Sequence, residues 1–324
     1  MIPDACGRGI RIANVDAVTA AALPHDPLWP RAGDWPAPDA GDGPIDLALV
    51  GVPTWRTSLS PTGAHGTPAA IREALPRYTT ALMPDRSVFR RPQREMTIAD
   101  FGDVTDPDGA EGEARTRSLV AEAARRARLT VALGGDNSLT VPVALAAWGN
   151  ALDTAGLVTL DAHYDLRDGV SNGSPVRRLI EAGLSGRRVV QIGIADFANS
   201  REYASRAAHY GITVVHRDEL HHERITDVMA EALEIAGAAG GPVHVDLDLD
   251  VCDRAVVPGC PGSLPGGISA WELRRAARAA GADPQVRSVD LAEVDVAADA
   301  PDGRTVRLAA LCVLEVAAGL ATRP

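Results

Sequence analysis

From about residue 46 onward, short apolar runs alternate with longer stretches rich in Ala, Arg and Glu. The runs are Leu47–Val52, Met96–Phe101, Leu129–Leu133, Leu157–Leu160, Arg188–Ile194, Ile212–Val215, Val243–Leu249 and Val286–Leu291. Each is short, often β-branched, and bounded by Gly, Asp or Pro. Near-continuous apolar runs of this length suit strands buried on both faces of a parallel sheet. Between them, Pro68–Leu75, Glu111–Ala127 and Ala270–Ala280 read as helices, with Pro68 in a first turn where its missing N–H costs little. The alternation predicts an α/β fold: a doubly wound, mainly parallel eight-stranded sheet flanked by helices. Residues 1–45 lack a steady period and are rich in Pro, Gly, Asp and Trp. They read as an irregular N-terminal extension, packed on the body through Trp29 and Trp35. Residues 46–324 read as one domain.

Composition narrows the function. With 46% of its 324 residues hydrophobic and 23% charged, the chain can bury a sizeable core. Against 43 acidic residues stand 32 basic ones, a net charge of −11. Such a chain is a poor ligand for nucleic acid or anionic membranes, which need a basic surface. No apolar run approaches a membrane span, and Met1–Val15 lacks a signal-peptide core, so a cytoplasmic protein is expected. Every basic residue is Arg, which excludes a Schiff-base lysine and a P-loop lysine. Cys6, Cys252, Cys260 and Cys312 are scattered, with neither metal-pair nor disulfide spacing, and Cys252 and Cys260 read as packing residues.

In a parallel α/β sheet, ligands bind beyond the carboxyl ends of the strands. Those positions here are heavily acidic: Asp136 and Asn137 after the third run, Asp161, His163 and Asp165 after the fourth, Asp248 and Asp250 at the end of the seventh, and Glu293 after the eighth. Asp161, His163 and Asp165 alternate, as do Asp248 and Asp250, so in strands each set would share a face. Converging carboxylates without a basic partner repel one another. A bound cation relieves that repulsion, and carboxylate plus imidazole suits Mn, Fe or Zn. The competing reading, that each Asp caps a following helix, serves well for one Asp and poorly for Asp-x-His-x-Asp together with Asp-x-Asp.

These blocks resemble the ureohydrolases (arginase, agmatinase and formimidoylglutamase). Gly134-Gly135-Asp136-Asn137-Ser138 is similar to their Gly-Gly-Asp-His-Ser block, and Asp161-Ala162-His163-Tyr164-Asp165 matches their Asp-Ala-His-x-Asp. Asp248-Leu249-Asp250 through Pro265-Gly266-Gly267 resembles their third block, and Gly66-Thr67-Pro68 their helix start. The resemblance implies an arginase-like three-layer sandwich, a homo-oligomer, and one or two Mn2+ per chain. The implied ligands are Asn137, Asp161, His163, Asp165, Asp248 and Asp250, with Asp161 and Asp248 bridging. Asp250 is also implied as proton carrier, and Glu293 as the anchor for the substrate's cationic end.

Three departures from the family pattern refine the expectation. Asn137 stands where a His ligates the first metal; an amide oxygen is the weaker ligand, so that metal should be held less tightly. Asn172 replaces the His assigned as proton shuttle; it cannot carry a proton at neutral pH and is left as a substrate-binding candidate. Arg167 follows the second block, where it can take a carboxylate in a bidentate pair, with Arg177 as a second candidate. Arg167 favours a small acidic amidine. The expected reaction is hydrolysis of N-formimidoyl-L-glutamate to L-glutamate and formamide, a step of histidine degradation. The alternatives are a guanidino-acid ureohydrolase or agmatinase releasing urea, and a metal-poor relative that binds without turnover. Among the remaining histidines, His244 reads as a satisfied core residue, and His65 as a weaker candidate for orienting substrate.

Overall fold

A computed structural model describes residues 25–40, 43–80 and 96–323. The first 24 residues of the expected extension, Cys6 among them, lie outside the described residues. All eight predicted strands are present, with ends moved by at most two residues: β1 (Ile45–Val52), β2 (Ile98–Asp103), β3 (Ala127–Gly134), β4 (Gly156–Leu160), β5 (Val189–Ile194), β6 (Thr213–His216), β7 (Val243–Asp248) and β8 (Val286–Ala292). The helices are α1 (Thr67–Ala74), α2 (Gly109–Arg126), α3 (Thr140–Trp148), α4 (Pro175–Ala182), α5 (Arg201–Tyr210), α6 (Ile225–Ala236), α7 (Ala270–Ala282) and α8 (Arg304–Leu320). Pro68 sits in the first turn of α1, as its fixed φ favours. A capping box between Ser269 and Glu272 starts α7.

The strands form one sheet in the order β2-β1-β3-β8-β7-β4-β5-β6, and every pairing is parallel. Helices cover both faces. The core shared by α1, α6, α7 and α8 takes Leu47 and Leu49 from β1; the one under α2 and α3 takes Ala48, Val50 and Val52. That alternation gives β1 an apolar residue at nearly every position. It also explains why buried parallel strands were visible as apolar runs. β3, β8, β7 and β4 are consecutive neighbours at the sheet centre, so their carboxyl ends open onto one crevice.

The extension behaves in two ways. Trp35 packs against the main core, as expected, whereas Trp29 is 48% exposed and does not. His244 is fully buried and satisfied, with Nδ1 2.7 Å from Ser288 Oγ and Nε2 3.1 Å from Asp290 Oδ2. Cys252, Cys260 and Cys312 are buried, and burial pushes their thiols up, so they pack as apolar groups. Among the described residues, no helix is long and apolar enough to cross a membrane.

Candidate metal centre

Local hydrogen bonding explains why Asp occupies the first position of each acidic block. Asp161 Oδ1 accepts the N–H of His163 at 2.6 Å, and Asp248 Oδ1 accepts the N–H of Asp250 at 2.8 Å. Each aspartate therefore closes a turn on the backbone two residues ahead. This corrects the expectation of strand alternation. β4 ends at Leu160, and Asp161, His163 and Asp165 lie in the loop beyond it, with Asp165 in the left-handed region at φ 52°. Asp248 is the last residue of β7, and Asp250 already belongs to a short 3-10 turn. A loop, not a pleat, gathers the side chains.

Asp161, His163 and Asp250 each offer a ligand atom, all within 4.8 Å of one another. His163 Nδ1 lies 2.7 Å from Asp250 Oδ2 and 3.3 Å from Asp161 Oδ1. Asp250 Oδ1 accepts the Ala162 N–H at 2.8 Å. Gly262 presses on this pair: a Cβ there would come within 2.5 Å of Asp250 Oδ2. The site also has Asp165, Asp248 and Glu293, all buried and lining the same cavity.

The electrostatics are those of a site built for added positive charge. Desolvation, with the Asp250 charge next in weight, pushes Asp161 up to about 7. Desolvation and neighbouring carboxylates hold Asp165 and Asp248 well above the ordinary range. The Asp250 charge drives His163 up to about 12 against its own desolvation. For Asp250, burial is the largest influence and acts upward, but the charge and hydrogen bond of His163 leave it below its usual value. Fully ionised, four buried aspartates beside one imidazolium would carry a large excess of negative charge, which a bound cation offsets. This hard oxygen-rich set with one imidazole nitrogen fits a divalent ion such as manganese.

Asn137 takes a different place from the one expected. Its amide nitrogen donates to Asp165 Oδ2 at 2.6 Å, and its oxygen accepts from Thr140 Oγ1 at 2.8 Å. The amide oxygen is thus directed away from the carboxylates, and Asn137 steadies Asp165 as a donor. An Asn137→His variant exchanges that donor for an imidazole and is expected to tighten manganese binding about tenfold or more, read by metal titration. Unchanged affinity would show that position 137 does not reach the metal.

Glu293 follows β8 with its backbone at φ 63°. Its Oε1 accepts the Asn137 N–H and the Asn172 amide, both at 2.8 Å. Burial, then the Asp136 charge, pushes it up to about 8 against these two donors. Asn172 also accepts the Leu59 N–H at 3.0 Å, so it orients Glu293 within a fixed loop. The sequence offered Asn172 as a substrate-binding candidate in place of a lost histidine, and its bond to Glu293 was not foreseen.

The cavity has a volume of about 350 Å³, and Arg167, Asn172 and Tyr203 line it with the acidic groups. Arg167 is exposed and, among the described residues, makes no side-chain hydrogen bond or ion pair. Its stem lies over Gly173, where a Cβ would approach Arg167 Cδ within 2.7 Å. Arg177 differs from expectation: it is buried and absent from the cavity wall. Its Nε donates to the Arg167 carbonyl at 2.6 Å, and its other nitrogens engage the Gly169 carbonyl and Glu181. All three of its nitrogens are engaged in holding the loop that carries Arg167. His65 is also outside the wall, its ring 5.3 Å from that of Trp55.

Fold and site define a class: parallel α/β hydrolases that gather carboxylates and an imidazole around divalent metal at the carboxyl edge of the sheet. The chain belongs to the arginase family, whose model matches residues 45–319. It is 32% identical over 301 residues to a formimidoylglutamase of Halalkalibacterium halodurans, covering 89% of this chain and 92% of that one. The crystal structure of formimidoylglutamase from Bacillus subtilis superposes with a TM-score of 0.84 at 27% identity, covering 94% of this chain and 96% of that one. A Trypanosoma cruzi formiminoglutamase solved with Mn2+ shares the fold, with a TM-score of 0.77 at 24% identity and coverage of 86% and 95%.

Proposed function

We propose that this chain hydrolyses N-formimidoyl-L-glutamate to L-glutamate and formamide, using manganese. The observation that carries this reading is the mixed charge of one cavity, lined both by buried Glu293 and aspartates and by exposed Arg167, whose side chain has no hydrogen-bond or ion-pair partner among the described residues. Such a cavity selects a molecule with a cationic amidinium at one end and carboxylates at the other. The similarity to formimidoylglutamases over nine-tenths of the chain supports the same substrate.

Asp161, His163, Asp165, Asp248 and Asp250 would hold the metal, which supplies Lewis acidity toward water near neutral pH. Glu293, steadied by Asn172, would hold the amidinium by a charge-assisted pair and thereby recover its ionised form. Asp250 Oδ2 would take the proton released by the attacking water and return it to the departing glutamate nitrogen. Asn172, standing in place of a histidine, cannot share that transfer. Arg167 would fix a substrate carboxylate.

The test is a product assay on manganese-loaded protein with N-formimidoyl-L-glutamate, 4-guanidinobutyrate and agmatine, following glutamate and urea separately. Glutamate from the first alone supports the proposal. Urea from either of the others moves the reaction to the guanidino branch. Arg167→Ala is expected to raise KM for N-formimidoyl-L-glutamate by about tenfold to a hundredfold, the worth of a charged hydrogen-bonded pair. A neutral amidine should be nearly unaffected; an equal rise for both would remove Arg167 from substrate recognition.

A further inference from the structure

At the opposite end of the sheet, beside the amino ends of β3 and β8, a second cavity of about 340 Å³ is lined by Arg125, Arg126, Arg128, Arg287 and Arg323. Five arginines lining one cavity run against the whole-chain charge of −11. Three of the five have partners among the described residues. Arg126 pairs with Asp39 at 2.9 Å and Glu122 at 3.6 Å, and Arg128 lies 3.5 Å from Asp46. Arg323 donates only to backbone: Nε to the Gly281 carbonyl at 2.7 Å, Nη2 to the Val286 carbonyl at 3.1 Å. Arg125 and Arg287 are exposed and, among the described residues, make no side-chain hydrogen bond or ion pair.

We infer that this cavity is an anion site for a phosphoryl oxyanion, either free phosphate or the phosphate of a small phosphorylated molecule. Like charges held together at a concave surface favour a counterion, the mirror of the argument for the metal centre. Arginine suits the role because its planar fork delivers paired N–H donors to oxyanion oxygens. A single carboxylate neutralises one guanidinium, whereas a phosphate brings up to two charges and enough oxygens for several. The backbone bonds of Arg323 fix its guanidinium before any ligand arrives. Burial, the largest cause, takes Arg323 down to about 10; Asp283 opposes this, and Arg128 and Arg287 add to the fall. The strands β3 and β8 run from this cavity to the Asn137 and Glu293 loops, so an anion here would brace them at the end remote from catalysis.

The test uses full-length, manganese-loaded protein freed of excess metal, titrated with inorganic phosphate and, in a second arm, with adenosine monophosphate, at constant ionic strength. Phosphate at about 10 mM is expected to raise Tm by about 2 °C or more. The Arg125→Ala/Arg287→Ala double variant, altered only at exposed side chains, should weaken binding by about tenfold or more while keeping its turnover and its phosphate-free Tm. Asp161→Ala should retain the phosphate shift. Tighter binding of the nucleotide would identify the source as a phosphorylated small molecule, and equal binding would identify free phosphate. No shift in the unaltered protein, an undiminished shift in the double variant, or loss of the shift in Asp161→Ala would overturn the proposal.

Discussion

Asp161→Ala is expected to abolish divalent-metal binding and to lower turnover of N-formimidoyl-L-glutamate by about a thousandfold or more. Asp161 is 1% exposed, opens the turn after β4, and sits within 4.8 Å of both His163 and Asp250 through its ligand atoms. Removing its carboxylate takes away a proposed metal ligand and the acceptor of the His163 N–H at 2.6 Å. The metal-free protein should nonetheless fold, because the change also removes one of several buried carboxylates that repel each other. Asp161→Asn separates the two roles: it keeps a turn acceptor and loses the charge. Both variants should fail to retain manganese, read by mass spectrometry after gel filtration. Normal manganese content in Asp161→Ala would place the metal elsewhere.

Stripping metal from the purified protein is expected to lower Tm by roughly 5 °C, with a larger loss at pH 8 than at pH 6. The sign follows from the raised groups. Asp161 at about 7, Glu293 at about 8, and the raised Asp165 and Asp248 hold protons more firmly in the folded metal-free state than when unfolded. An acid of this kind stabilises the fold at low pH, and that benefit fades from the unfolded value near 4 up through the folded one. His163, raised to about 12, acts in the same direction: its contribution is complete below about 6.5 and fades above it. Asp250, held below its usual value, acts oppositely, but only in acid well below this window. At pH 6, protons therefore do part of the metal's work, and at pH 8 they do less. A metal-dependent Tm gap that stays constant or narrows with rising pH would contradict this account.

How far the sequence revealed the molecule depended on whether the relevant physics was local. Strands buried on both faces must be apolar at nearly every position, so all eight could be read from the chain. The Asp-x-His-x-Asp and Asp-x-Asp spacings were equally visible, because each turn closes over two residues. The geometry behind them was not: the Asp165 backbone at φ 52° belongs to a loop no periodicity describes. Arg177 and Arg167 are both arginines ten positions apart, and only the folded loop decides that one binds carbonyls while the other faces the cavity. The Asn137 amide was legible as a missing imidazole, but its bond to Asp165 joins elements 28 residues apart. Trp29 shows the limit of composition, since a large aromatic gains by burial only where the body offers it a surface.

Asp165 and Glu293 share an unusual backbone, each at a positive φ that side chains rarely adopt. Strain of this kind costs about 1–3 kcal/mol per residue, and both positions also bury a carboxylate. Glycine at either one would relax the chain and remove the desolvated acid in the same step. Laboratory evolution that rewards heat resistance alone would therefore be drawn toward these two positions and return hardier, inert proteins. A campaign to toughen this hydrolase has to hold Asp165 and Glu293 constant and look for its gains at the other end of the strands.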